Sequence, residues 1–140
     1  MRPQKISDRQ LTVNMLSILR ARGYDGASLN DLALVGGLKK ASLYHRYPGG
    51  KETLVQSVLD HYASELEAQV FSVLLNKKKK SKRKLNTALN NLAIIYDEGG
   101  ANCLYRSLSL ETGMNIFGGQ IRNNCQNWLN SFETFGKGYG

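Results

Sequence analysis

The stretch Ser28-Leu29-Asn30-Asp31-Leu32-Ala33-Leu34-Val35-Gly36-Gly37-Leu38-Lys39-Lys40-Ala41-Ser42-Leu43-Tyr44-His45-Arg46-Tyr47-Pro48-Gly49-Gly50-Lys51-Glu52 decides the fold of this chain. Ser28 followed three residues on by Asp31 resembles a capping box with Asp in place of Glu, so the Ser28 hydroxyl accepts from the Asp31 amide. That opens a short helix with Leu29, Leu32 and Ala33 inward, and Gly36-Gly37 breaks it. Leu38 is an apolar anchor in the turn, and Lys39–Tyr47 reads as a further helix with Leu43 and Tyr47 on the buried side. Pro48-Gly49-Gly50 stops it, because proline lacks the amide a continuing helix needs.

Helical spacing continues on both sides. Ser7 or Asp8 caps a first helix with Leu11, Met15, Leu16, Ile18 and Leu19 close to one stripe, and Gly23 suits a left-handed terminus. Tyr24 and the turn Asp25-Gly26 follow. From Lys51 onward Leu54, Val58, Tyr62, Leu66 and Val70 recur every four residues, broadened by Val55, Leu59 and Leu74. Leu85, Leu89, Leu92, Ile95 and Tyr96 predict another helix, ended by Gly99-Gly100. Residues 101–113 and 115–135 read as two more, separated by Gly113, Gly118 and Gly119, and the tail Gly136–Gly140 is expected to fray. No proline follows Pro48, and no alternating run bounded by turn signals suggests a strand. The expectation is an all-α chain without internal repeat, divided into residues 1–51 and residues 52–140.

Composition bounds the function. At 140 residues and 41% hydrophobic content the chain can bury a core, which excludes a wholly disordered protein. Cys103 and Cys125 are too few for a disulfide-stapled scaffold. They could sense oxidants, but free thiols mostly behave as small apolar residues. No run approaches the roughly 20 apolar residues of a membrane-spanning helix. Met1–Asp8 is polar and lacks a signal-peptide apolar segment. A soluble cytoplasmic protein, without a membrane partner, is expected.

The net charge of +8 is unevenly placed. Residues 1–51 hold nine cations and three acids; residues 52–76 hold only the acids Glu52, Asp60, Glu65 and Glu67. Lys77–Lys84 alone carries +7, and residues 85–140 hold three cations and four acids. The run at 77–84 reads first as a solvated, self-repelling linker between helices. Its alternative is a phosphate- or lipid-binding arm, against which stands the absence of any aromatic or apolar residue within it. A localisation signal is a third, weaker reading of the same composition.

Three short helices with a glycine turn between the second and third are the layout of a helix-turn-helix. Such a unit places its third helix in the major groove of DNA, while amides and cations around it hold phosphates. Here that helix offers Lys39, Lys40, the small Ala41, Ser42, Tyr44, His45 and Arg46. Ser28 and Lys51 fall at the starts of neighbouring helices, where free amides favour phosphate. His45 and His61 are too far apart in sequence to form a metal motif. No nucleophile–base pair or glycine-rich phosphate loop is present either, which argues against an enzyme and for no cofactor.

At these residues the chain resembles the TetR family of transcriptional regulators. The resemblance runs over about residues 6–66 and rests on Gly23-Tyr24, Ser28–Ala33 and Gly37–Glu52. Pro48-Gly49-Gly50-Lys51-Glu52 looks like one branch, and Cys103-Leu104 with Leu108-Ser109-Leu110-Glu111 is a weaker match to the same branch. It implies that Lys39, Lys40, Ser42 and His45 face DNA, that Tyr44 and Lys51 hold phosphates, and that Ser28 lies near the backbone. Lys39 stands where a serine or threonine cap is usual, Ala41 where glycine is frequent, and Arg46 where histidine is common. These departures leave the operator sequence open.

The resemblance further implies a homodimer on a palindromic double-stranded operator, a small-molecule effector and the role of repressor. Members of the family usually carry a further helix pair past the point matching Gly140, which makes the dimer. Tyr96, Leu104, Leu108, Met114, Phe117, Ile121, Trp128 and Phe132 are candidates for the effector cavity, though the same residues describe any helical core. The rival reading is a basic membrane-surface or protein-interaction module built on Lys77–Lys84.

Overall fold

Local capping sets the first two helices. The Ser7 hydroxyl accepts the Gln10 amide at 3.2 Å. At Ser28 the box closes in both directions: the Asp31 amide donates to the Ser28 hydroxyl, and the Ser28 amide donates to the Asp31 carboxylate, both at 3.0 Å. The computed structural model describes residues 6–139, so Met1–Lys5 and Gly140, with what the sequence implied for them, lie outside the described residues. The elements are α1 Asp8–Gly26, α2 Leu29–Val35, α3 Lys40–Arg46, α4 Lys51–Leu66, a π-helical turn Glu67–Phe71, α5 Ser72–Leu74, α6 Ser81–Ile95, a 3-10 turn Asp97–Gly99, α7 Leu104–Leu108 and α8 Glu111–Lys137. No strand occurs among the described residues, and none of their helices is long and apolar enough to cross a membrane.

One continuous core joins these helices. It runs from Leu11, Met15 and Leu19 of α1 through Leu54, Leu59 and Tyr62 of α4 to Leu104 and Leu108 of α7 and Phe117 and Ile121 of α8. Packing therefore continues without a gap across position 51. The four-residue row of α4 stays buried to Leu74, although each four-residue step walks about 40° around an α-helix. The π-turn, in which the Ser72 amide reaches the Glu67 carbonyl, holds more residues per turn and takes up part of that drift.

α1 packs most extensively on α7. The Ser107 hydroxyl donates to the Arg20 carbonyl at 2.6 Å, and the Asn102 amide donates to the same oxygen at 3.4 Å. Gly23 permits the approach. It is buried with φ +72°, and a Cβ there would stand 2.6 Å from the Ser107 carbonyl oxygen. The left-handed terminus expected at Gly23 is a kink, after which the chain continues in helical form to Gly26.

Four expectations need correction. Ser81–Lys84 is not linker but the first turn of α6, whose exposed side chains keep most of these cations in water even though the helix dipole opposes them there. Gly113, Gly118 and Gly119 do not separate two helices. Gly113 and Gly118 are buried inside α8, where a Cβ would press on Leu108 and Tyr24 or on Met114. The break comes earlier, leaving α7 only five residues, and Glu111 starts α8 with φ +44°. The tail does not fray from Gly136: α8 runs to Lys137, the Gly138 amide returns to the Thr134 and Phe135 carbonyls, and the Tyr139 ring meets that of Phe135.

Replacing Gly23 by alanine combines a left-handed φ with a backbone collision. It is expected to lower the unfolding free energy by more than about 1 kcal/mol. Urea denaturation beside the parent chain checks this, and an unchanged midpoint would show that α1 and α7 are not tightly held at this point.

Candidate nucleic-acid interface and cavity

The turn between α2 and α3 is built by backbone bonds. The Gly36 amide donates to the Leu32 carbonyl at 3.1 Å, Gly37 to Leu34 at 3.1 Å, and Leu38 to Ala33 at 2.9 Å. Gly37 takes φ +64°, a conformation that costs glycine little. Leu38 packs against the core and Leu43 is fully buried, which fixes the rotation of α3. As a result Lys39, Lys40, Ala41, Ser42, Tyr44 and His45 are all exposed. Tyr47, expected within the helix, caps it, and Lys39 caps the other end without a side-chain bond. Ala41, Ser42 and His45 share an open cleft of about 800 Å³ with Ile6, Ser7 and Asp8 at the start of α1.

The predicted contacts do not all stand free. The Arg46 guanidinium bonds Asp8 at 2.9 Å and the Ile6 carbonyl at 3.3 Å, bracing α3 against the start of α1. Of the cations expected to face DNA, Arg46 is thus paired within the protein. The Lys51 ammonium lies 4.3 Å from the centre of the Tyr24 ring, and burial lowers its pKa while Asp25 and Asp31 partly oppose that. The Tyr24 hydroxyl is pushed up, first by burial and then by Glu52 and Asp25. Tyr44 lies beside Gly50, at the start of α4. Ser28 is exposed, with its hydroxyl engaged in the box at the start of α2.

A second concavity lies at the other side of the core. About 460 Å³ is lined by Tyr96, Cys103, Tyr105, Arg106, Ser109, Ile121, Cys125, Trp128 and Leu129. Of the residues proposed for a cavity, Tyr96, Ile121 and Trp128 face it. Leu104, Leu108 and Phe117 are packed inside the core, Phe117 edge-on to Tyr24 at 5.7 Å, and Met114 lies against Gly118. Phe132 stacks on Trp128 outside this cavity. Periodicity could not separate these groups, since core and cavity positions recur with the same helical spacing. Tyr105 was missed for the same reason. It is buried, its hydroxyl lies toward Asn124 without a well-formed hydrogen bond to any described residue, and its ring packs edge-on against Tyr62 at 5.1 Å.

The cavity connects to α1 through polar contacts. The Tyr62 hydroxyl donates to that of Tyr96 at 2.7 Å, and the Cys103 sulfur lies 3.7 Å from Tyr96 and 3.9 Å from Tyr62. The Arg20 guanidinium of α1 sits over both rings, 5.4 and 5.3 Å from their centres, and donates to the Ile95 carbonyl at 2.7 Å. Burial pushes the Tyr96 hydroxyl up to about 12 and raises those of Tyr62 and Tyr105 further. All three are protonated donors at neutral pH. Both cysteines are free thiols, and that of Cys125 is pushed up by burial and then by Cys103.

No family model, no curated protein and no solved structure matches this chain. The resemblance to the TetR family rests on its motif residues alone.

The capping box supplies a pH-dependent prediction. The Asp31 carboxyl is held below its ordinary 3.8, first by the Ser28 amide, then by the Ser28 hydroxyl, with Arg22 also contributing. A carboxyl lowered by folding stabilises above its unfolded pKa and loses that contribution as the pH falls through the folded value. Asp31→Asn is therefore expected to lower the urea midpoint at pH 7, and the difference from the parent should close as the pH falls below the ordinary carboxyl value of 3.8. A pH-independent difference would show that Asp31 acts other than through its charge.

Proposed function

We propose that this chain is a sequence-specific DNA-binding transcriptional regulator of the TetR kind, released from its operator by a small apolar molecule. The observation that carries the reading is the face of α3. A helix fixed by buried Leu43 and anchored through Leu38 presents Lys39, Lys40, Ser42, Tyr44 and His45 to solvent together. Long cations supply sequence-independent attraction to phosphates, while Ser42 and His45 offer hydrogen bonds to base edges. Ala41 leaves room for close approach. Tyr44, beside the start of α4, is placed for a phosphate oxygen.

Two copies are required for a palindrome, with recognition helices about 34 Å apart. Exposed Leu129, beside Trp128 and Phe132 on α8, supports pairing through that helix. Occupancy of the 460 Å³ cavity would act on Tyr96 and Tyr105. Both touch Tyr62 of α4, which Arg20 ties to α1. A ligand that binds better when these rings are displaced would shift α4 against α1 and alter the half-site spacing. The unpartnered Tyr105 hydroxyl favours an apolar ligand carrying one polar group.

Duplexes selected from a random pool test the reading directly. Lys40→Ala is expected to weaken binding on all sequences and reduce the salt slope by about one. Tyr44→Phe should weaken it about two- to tenfold, the worth of one hydrogen bond. Failure to enrich any sequence, with binding indifferent to both changes, would remove α3 as the reader. Trp128 reports the cavity. Its emission should change on titration with an apolar fluorophore-quenching ligand, and Cys125→Phe should weaken that response while duplex binding persists.

A further inference from the structure

Lys77–Lys84 takes no part in the interface or the cavity described above. Lys77–Lys80 form an exposed turn, Lys82 and Arg83 are exposed on the first turn of α6, and Lys84 is half-buried with its ammonium 5.5 Å from the centre of the Phe135 ring. None of the seven forms an ion pair with a described residue. The first turn of α6 contains no acid, so the cations face the positive end of a helix dipole without internal compensation. An arrangement that repels itself in this way is favoured by an external anion.

Position and composition narrow the partner. Helical backbone is unbroken from Lys51 to Leu74, which puts the run roughly 35 Å from the start of α4 and from the α3 face. The run holds six lysines and one arginine, with no aromatic between them on which a base could stack. Two exposed apolar side chains flank it instead. Leu75 precedes the turn and is 42% exposed, and Tyr139 is 54% exposed, packed on the same Phe135 ring that Lys84 covers. The run also borders a cleft of about 230 Å³ lined by Val73, Asn76, Lys79, Arg83, Lys84 and Thr87. Lysines beside an aliphatic and an amphipathic aromatic side chain are the chemistry of a surface lying on anionic lipid.

We infer that this end of the molecule docks peripherally on an anionic phospholipid surface, with the Lys79–Arg83–Lys84 cleft receiving a headgroup phosphate. Leu75 and Tyr139 enter the interfacial layer, and the lysines supply attraction that fades with salt. The inference is independent of the DNA reading, since it uses none of the α3 residues.

Co-sedimentation of the full chain with vesicles tests it. Binding is expected to phosphatidylcholine vesicles containing phosphatidylserine, and not to phosphatidylcholine alone. Charge reversal at exposed positions, Lys78→Glu with Lys79→Glu, Lys82→Glu and Arg83→Glu, should reduce binding at least about tenfold with the circular dichroism spectrum unchanged. Neutralising the same four positions with glutamine should give a smaller loss, and Leu75→Ser with Tyr139→Ser should leave a weaker binding that vanishes at lower salt. Equal binding to both vesicle types, indifference to charge reversal, or no vesicle binding near physiological salt would overturn the proposal. So would a reversal that spares vesicle binding and weakens only non-specific duplex DNA, which would assign the run to nucleic acid.

Discussion

The contact on which the rest of this structure depends is the approach of α1 to α7 at Gly23. A buried residue without a side chain lets the Ser107 carbonyl come close, and the Ser107 hydroxyl closes on the Arg20 carbonyl at 2.6 Å. This fastens α1 to the C-terminal helices. It also fixes Arg20, whose guanidinium covers Tyr62 and Tyr96 and bonds the end of α6. α1 also packs on α4 and α8, with Tyr24 edge-on to Phe117. One apolar cluster spans the chain.

The outward face of α3 follows from the inward one. Leu43 is fully buried, and Leu38 packs on the core from the turn, so the rotation of a seven-residue helix is settled by two leucines. Every polar residue at the other helical positions then faces solvent. Arg46 is the exception, because Asp8 lies within reach of its guanidinium. The face is therefore basic through Lys39 and Lys40 more than through the arginine.

Much of this was legible in the residues. The Ser28–Asp31 box, the Gly36-Gly37 break, the stop at Pro48-Gly49-Gly50 and the four-residue row of α4 are local features, and local hydrogen bonding or helical period explains each. Glycine misled the reading where its role was tertiary. Gly113 looks like a break, but the Leu108 carbonyl and Tyr24 of α1 occupy the space of a Cβ there, and Gly118 lies under the Met114 side chain of its own helix. The basic run misled it in the same sense. Repulsion among like charges predicts exposure and does not distinguish a loop from the first turn of a helix.

The sequence by itself determined the helical class, the run of three short helices and the polar residues carried by α3, because capping, period and chain-breaking act within a few residues. Only the tertiary structure decided which apolar side chains line a cavity and which fill the core, and that Arg46 and Lys51 are engaged within the protein. It alone brought Leu75, Tyr139 and Lys77–Lys84 to one end of the molecule. These outcomes depend on distances between residues far apart along the chain, which packing sets and no local pattern encodes.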